Sequence, residues 1–347
     1  MTTHLKILDP GFITTIQDYG RYGHQAIGVS VSGALDRYNL ELANHLVGNS
    51  LGEAAFEIRL KSPTFEVQAD CVTIALTGTE ASIELIEPLN EQIAAYRSVT
   101  LNRGQQFRIG SIADSAVCYL AVKGGFNLPH IYGSLSTCLS AGFGGFKGRR
   151  LLAGDEIPLN ENAARQQDLM ALPSPFIEPL FQYRKNPIIR AISGPQADYF
   201  TSAAHEIFFS TPYTLSKESN RMGARLEGAP LAHVDSFNIA SDGIVKGAIQ
   251  VPGNGLPIIL LADCQTTGGY PKIATVISTD LPLLGRMMAG TEFRFENVTV
   301  AEAEQILKQN ADLHHKRLDA ITKLENIANS LEERLRNTNL ISGIIDG

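Results

Sequence analysis

Ten residues, Asp263-Cys264-Gln265-Thr266-Thr267-Gly268-Gly269-Tyr270-Pro271-Lys272, hold the densest supply of chemistry in the chain. They offer a carboxylate, an amide, hydroxyls and an ammonium. Gly268 and Gly269 permit close approach of the backbone to another group. Such a mixture suits a small polar molecule bearing an anion or an amide. Asp263 is the candidate general acid/base, or the holder of a substrate amide N–H; Lys272 is the candidate stabiliser of an oxyanion or phosphate. Gln265, Thr266, Thr267, Gly268, Gly269 and Tyr270 are candidate binding groups. The same residues would equally make a well hydrogen-bonded hairpin.

Other places have the types but a weaker pattern. Asn220-Arg221 offers a guanidinium that could take a carboxylate through two parallel hydrogen bonds, or close a structural ion pair. Asp18 and Arg21, beside Gly20 and Gly23, would form a similar site or pin a turn. The run Gly142-Phe143-Gly144-Gly145-Phe146-Lys147-Gly148-Arg149-Arg150 is either a flexible turn or an anion nest with Lys147, Arg149 or Arg150 adding charge. In the nest, Gly144, Gly145, Lys147 and Arg149 would hold a phosphate. It lacks the ending of a Walker A loop. Cys264 has no base next to it in sequence and is read as a structural or incidental thiol. The eight histidines are dispersed. His314 and His315 point about 100° apart on a helix, so no metal site is expected and both are read as surface residues.

Those loops need elements to hold them. Pro257–Ala262 and Ile273–Ile277 are apolar runs that read as core strands on either side of the ten-residue loop. Loops carried by rigid strands are where binding groups concentrate. Cys71–Leu76 and Val117–Val122 read as buried strands. Val99–Leu101 and Gln106–Ile109 flank a turn at 102–104. Ala248–Val251 and Ile258–Leu261 are expected to form a hairpin through Pro252-Gly253-Asn254-Gly255. One helix is expected where Leu35, Tyr38, Leu42 and Leu46 share a face. Ser32 or Gly33 would start it, Asp36 would lie in its first turn, and Gly48 would close it. Short helix 281–288 and strand 292–295 follow.

The proline-punctuated stretch 161–186 reads as a linker. Thr299 and Glu302 have capping-box spacing. Beyond them Leu313, Leu318, Ile321, Leu324, Ile327, Leu331 and Leu335 form an imperfect stripe. It reads as a helix packed on its own domain, as a coiled coil or as a contact between subunits.

Composition sets bounds. The 347 residues are 44% hydrophobic and 19% charged, with a net charge of −7. That suits about two globular domains and gives nucleic acid no electrostatic handle. Cys71, Cys118, Cys138 and Cys264 form no C-x-x-C pair. Scattered cysteines, with no signal-peptide core and no membrane-length apolar run, lead us to expect a cytoplasmic protein with no membrane partner.

Motifs in both halves carry a family resemblance. Asp9-Pro10-Gly11-Phe12, Thr15-Ile16-Gln17-Asp18, Gly20-Arg21, Ser32-Gly33-Ala34-Leu35-Asp36, Ala43-Asn44 and Gly48-Asn49 come in order. Gly142-Phe143-Gly144-Gly145, Gly148-Arg149, Ser219-Asn220-Arg221-Met222-Gly223, Gly247–Pro252 and the 263–272 loop follow. Together they resemble the carboxyltransferase subdomain A/B family over about the first 300 residues. That family includes KipA-like proteins, described as the C subunit of bacterial 5-oxoprolinase (PxpC), and the allophanate hydrolase subunit 2-like part of urea amidolyase.

The resemblance implies a mainly β, α+β fold of two β-barrel-like subdomains, the second cyclophilin-like; the C-terminal helical extension lies beyond it and is read from its own pattern. The corresponding boundaries are 1–165, 187–298 and 299–347. It implies a part in ATP-dependent opening of 5-oxo-L-proline, with water, to L-glutamate, ADP and phosphate. Phosphorylation of the amide oxygen would overcome the resonance that protects a lactam. ATP would act at the level of a complex with two further proteins, a KipI-like one (PxpB) and a LamB/YcsF-like one (PxpA). Two alternatives remain. One is a biotin-dependent carboxyltransferase acting on urea or a related amide, with biotin carried by another chain because no A-M-K-M motif is present. The other is a non-catalytic regulator that binds a KipI-like kinase inhibitor.

Overall fold

Val117–Val122 is apolar throughout because it has two buried faces. Side chains alternate along a strand. Cys118, Leu120 and Val122 point into one core, while Val117, Tyr119 and Ala121 point into another. The first core fills a sandwich of two sheets, and the second runs on into a barrel. The structure is a computed structural model describing residues 3–86, 90–160, 169–178, 180 and 187–323.

In chain order the first half supplies β1 (His4–Asp9), β2 (Ile13–Gln17), helix α1 (Arg37–Leu46), β3 (Ala55–Arg59), β4 (Thr64–Val67) and β5 (Cys71–Thr77). Then come β6 (Ile83–Leu85), β7 (Gln92–Ile93), β8 (Ser98–Asn102), β9 (Gln106–Ile109), β10 (Val117–Val122) and β11 (Glu156–Pro158). One sheet has the order β11-β1-β4-β9-β6-β7, the other β2-β3-β10-β5-β8. The turn at 102–104 joins no hairpin. It carries the chain from β8 in one sheet to β9 in the other.

Helix α1 lies on β10 and β5. It starts later than its apolar stripe suggests. Asp36 is its N-cap rather than part of its first turn, because the carboxylate accepts from Asn39 N at 3.1 Å. Gly48, at φ +72°, closes the helix by donating to His45 O at 3.0 Å.

The second half adds β12 (Met170–Ala171), α2 (Ser174–Ile177), β13 (Ile188–Ser193), α3 (Ser202–Ser210), β14 (Tyr213–Leu215) and β15 (Gly223–Glu227). It continues with β16 (Asp242–Gly243), β17 (Ala248–Gln250), β18 (Ile258–Leu260), β19 (Thr267–Gly268), β20 (Lys272–Val276), α4 (Leu281–Arg286), β21 (Glu292–Asn297), α5 (Val300–Asp319) and β22 (Thr322–Lys323). Seven strands close a barrel in the order β13-β20-β17-β18-β15-β14-β21. Its parallel seam is β13 against β21, with Ile188 opposite Arg294. The β17–β18 hairpin forms as expected, with Ile249 opposite Ile259. The protein is therefore mostly β with few helices. The first half is two sheets rather than a second closed barrel.

Helix α5 opens on the expected capping box, with Thr299 and Glu302 bonded reciprocally. The expected stripe describes it only in part: Leu318 and Ile321 are buried. Leu313 is exposed and the helix ends at Asp319, while its buried residues are His314, Arg317 and Leu318. Thr322–Lys323 then pairs with Met170–Ala171. Leu324, Ile327, Leu331 and Leu335 lie outside the described residues, as does most of the 161–186 linker.

Candidate functional site

Arg221, just ahead of β15, joins the two halves of the molecule. Its Nε and Nη2 donate to the two Asp263 oxygens at 2.9 and 3.0 Å. Nη1 donates to Glu57 at 2.5 Å and Nη2 to Gly33 O at 2.6 Å. All three side chains are buried, at 4% exposure for Arg221, 2% for Asp263 and 1% for Glu57. Burial alone would favour the neutral guanidine. The Glu57 and Asp263 carboxylates reverse that and hold the Arg221 pKa above its usual value. Glu57 also accepts from Tyr119 Oη at 2.7 Å and Leu35 N at 2.9 Å, and Tyr119 Oη accepts from Asp36 N at 2.8 Å. Gly33 is required at φ +88°, since a Cβ there would lie 2.7 Å from Tyr19 O.

The ten-residue loop is no simple hairpin. β17 lies between β18 and β20, so the loop must cross its end. Gln265, Thr267 and Tyr270 are exposed, while Thr266, Gly268 and Gly269 are partly buried. The segment 239–244 runs along the loop as a strap. Thr266 O accepts from Ile244 N at 3.0 Å, Gly269 O accepts from Ile239 N at 2.9 Å, and β16 pairs with β19. Lys272 belongs to this strap. Its buried ammonium donates to Asp242 at 2.6 Å and Gly243 O at 3.3 Å. Asp263 and Lys272, neighbours in the sequence argument, thus serve separate clusters. Burial, with Asp263 beside it, pushes the Cys264 thiol up to about 11, so it is no ready nucleophile.

The other candidate groups are held by the chain itself. Asn220 accepts from Met222 N at 2.8 Å and shapes a turn. The Asp18 carboxylate takes Gly20 N, Ser134 Oγ, Ser136 Oγ and Leu135 N. Arg21 donates to Ser136 O and lies over the Phe143 ring. Gly145 N donates to Leu135 O at 2.8 Å, and Arg149 forks onto Asp155 at 2.7 and 2.8 Å. Lys147 and Arg150 are exposed; the Lys147 ammonium lies 4.8 Å from the centre of the Phe146 ring, and Arg150 Nη1 donates to Phe12 O at 3.3 Å. Gly145 N and Arg149 are thus already engaged within the chain, and the run is held as a packed turn. No group of three or more metal-ligating side chains lies together among the described residues.

A hollow of about 430 Å³ opens where α1, α4 and α5 converge. Lys246 and Ser278 from the barrel half, and Arg37 and Glu41 from α1, supply polar walls. His314 supplies another from α5, with Leu307 as part of the apolar lining. His314, expected on the surface, is buried and faces Glu41 at 2.6 Å. The acid justifies its burial. Tyr19 Oη and Arg37 Nε also donate to Glu41, each at 2.6 Å. Burial pushes the Glu41 pKa up, but the hydrogen bonds from His314, Tyr19 and Arg37 outweigh it and bring it to about 2.

Sequence reasoning missed Glu57, Glu41, Lys246 and His314. Glu57 left one signal, an acid inside the apolar run Ala55-Phe56-Glu57-Ile58. The rest are distant residues joined only by the fold.

The carboxyltransferase domain, subdomain A and B, model matches residues 27–297. The chain is 37% identical to the C subunit of 5-oxoprolinase from Escherichia coli, over 86% of this chain and 93% of that one. It is 34% identical to the C subunit of 5-oxoprolinase from Haemophilus influenzae, over 88% and 95%. The K. lactis urea amidolyase crystal structure superposes with a TM-score of 0.83 at 28% identity, over 94% of this chain but only 20% of that much longer one. The buried Arg221 junction, the strapped loop and the closed barrel are thus those of a member of the carboxyltransferase domain, subdomain A and B, family.

Proposed function

We propose that this chain is the C subunit (PxpC) of an ATP-dependent 5-oxoprolinase and works in the cytoplasm with a KipI-like protein (PxpB) and a LamB/YcsF-like protein (PxpA). The observation that carries the reading is length. The relatives named as the C subunit of 5-oxoprolinase align over 93% and 95% of their own chains, whereas urea amidolyase aligns over 20% of its structure's chain. The glycine run engages Gly145 N and Arg149 within the chain, and we therefore assign ATP to one of the partner proteins.

Within the reading, Arg221 and Glu57 position Asp263, whose carboxylate is held by Nε and Nη2 of Arg221 while Nη1 holds Glu57. The exposed Gln265, Thr267 and Tyr270, with Thr266, Gly268 and Gly269, present polar groups on the strapped loop. Lys272 holds the strap and sets the loop's shape. No described helix is long and apolar enough to cross a membrane.

The test is ATP-dependent glutamate release from 5-oxo-L-proline by the three co-purified proteins, omitting each in turn. Activity that needs all three supports the reading. A stable complex that releases no glutamate ends it. The superposition on urea amidolyase favours the second reading, a biotin-dependent carboxyltransferase. Activity on urea that requires a biotinylated partner and bicarbonate would reveal it.

A further inference from the structure

Lys246 follows the strap, two residues before β17, and its side chain forms part of the wall of the 430 Å³ hollow. Its ammonium has three donors. The structure gives it one acceptor, Ala34 O, at 3.5 Å, the outer limit of a hydrogen bond. Nearby acids are committed elsewhere. Glu57 and Asp263 take Arg221, and Asp36 takes Asn39 and Arg286. Burial, with the Arg221 charge adding to it, lowers the Lys246 pKa, and the more distant Glu57 and Asp36 offset this only in part. A partly buried amine with no acid in direct contact is costly and calls for a partner.

Across the hollow, Glu41 is already matched by Arg37, His314 and Tyr19, so it offers a cation no free carboxylate. Leu35, Leu51, Leu281, Pro282 and Leu307 give an apolar side to the wall, with Ser278, Tyr22, Tyr38 and His315 as its further polar members. A volume in the range of small-molecule sites, a leucine-rich lining and one underused ammonium define a ligand class.

We propose that this hollow binds a compact carboxylic acid, with the Lys246 ammonium as its counter-charge and the leucine wall against its hydrocarbon body. On the oxoprolinase reading the acid is 5-oxo-L-proline. The choice of that acid rests on the reading, whereas the preference for a carboxylate rests on Lys246 alone.

Titration calorimetry on the full chain tests it with three probes: 5-oxo-L-proline, cyclopentanecarboxylate and 2-pyrrolidinone. The last keeps the lactam ring and lacks the acid. Both acids are expected to bind at least about tenfold more tightly than 2-pyrrolidinone, as one charge-assisted hydrogen bond would give. Lys246→Met should lose that margin, while Lys246→Arg keeps most of it. Ala311→Phe, on the α5 side of the hollow, should block both acids. Lys246→Met should leave the Tm unchanged or raised, because the lysine holds little in the empty protein. A lysine that served only to hold Ala34 would behave in the opposite way, with a fallen Tm and unaltered ligand binding.

The proposal is overturned if no acid binds, if 2-pyrrolidinone binds as well as the acids, or if Lys246→Met binds them like the parent chain. Binding of both acids through Lys246 in a chain whose three-protein complex releases no glutamate would retain the pocket and remove only the oxoprolinase reading.

Discussion

At the scale of residues, one guanidinium decides most of the architecture around the loop. Arg221 satisfies two acids and a carbonyl drawn from three separate segments. Removing one partner from a buried ion pair leaves an uncompensated charge, which costs about 3–5 kcal/mol. Arg221→Met should therefore lower unfolding stability by about that amount in a denaturant titration. A loss under about 1 kcal/mol would mean that water reaches the cluster. Glu41 makes a pH-dependent contribution. Its pKa of about 2 lies below the usual carboxylate value, so its stabilisation is full above the unfolded pKa of about 4.3. It is lost as pH falls through the folded value. Glu41→Gln should be less stable than the parent at neutral pH and converge with it toward pH ~2 in Tm measurements. Parallel Tm curves over that range would exclude this role.

At the scale of elements, the strap 239–244 depends on Lys272. Its ammonium is the buried anchor for Asp242, which is itself half exposed. Lys272→Met should speed hydrogen exchange at the Ile239 and Ile244 amides, which bond to the loop, and leave the β17–β18 hairpin unchanged. Uniform change across the barrel would point to a folding defect instead. This is also the scale at which the sequence was most readable. Val117–Val122, the β17–β18 hairpin and the α5 capping box are local patterns, and each formed where expected. The α5 stripe misled at Leu313, which is exposed, because the helix's buried face is built on His314 and Arg317 as well as on Leu318. A histidine and an arginine carry no apolar signal, and their burial follows only once the surrounding elements are in place. Within the site, Arg221 and Asp263 stood out by type and loop position. Their bond to each other, and to Glu57, is long-range and has no spacing to reveal it.

At the scale of the whole molecule, the two halves are not independent bodies. Tyr119 and Ala121 of the sandwich share a core with Ile249, Ile259 and Ala274 of the barrel. With Arg221 fastening the same junction, heating should produce one calorimetric transition among these elements rather than two. Two resolved peaks would show that the shared core is weaker than either half.

The parallel seam of the barrel has a consequence for how the protein is made. β13 emerges from the ribosome first among the barrel strands, yet its two neighbours are β20 and β21, the last to be synthesised. Until Lys272 has been added, both edges of Ile188–Ser193 lack their native pairing partners. Edges of this kind invite pairing with other chains. Translation through β14–β19 is thus the interval in which a nascent chain most needs shielding, and slow codons there would prolong the hazard.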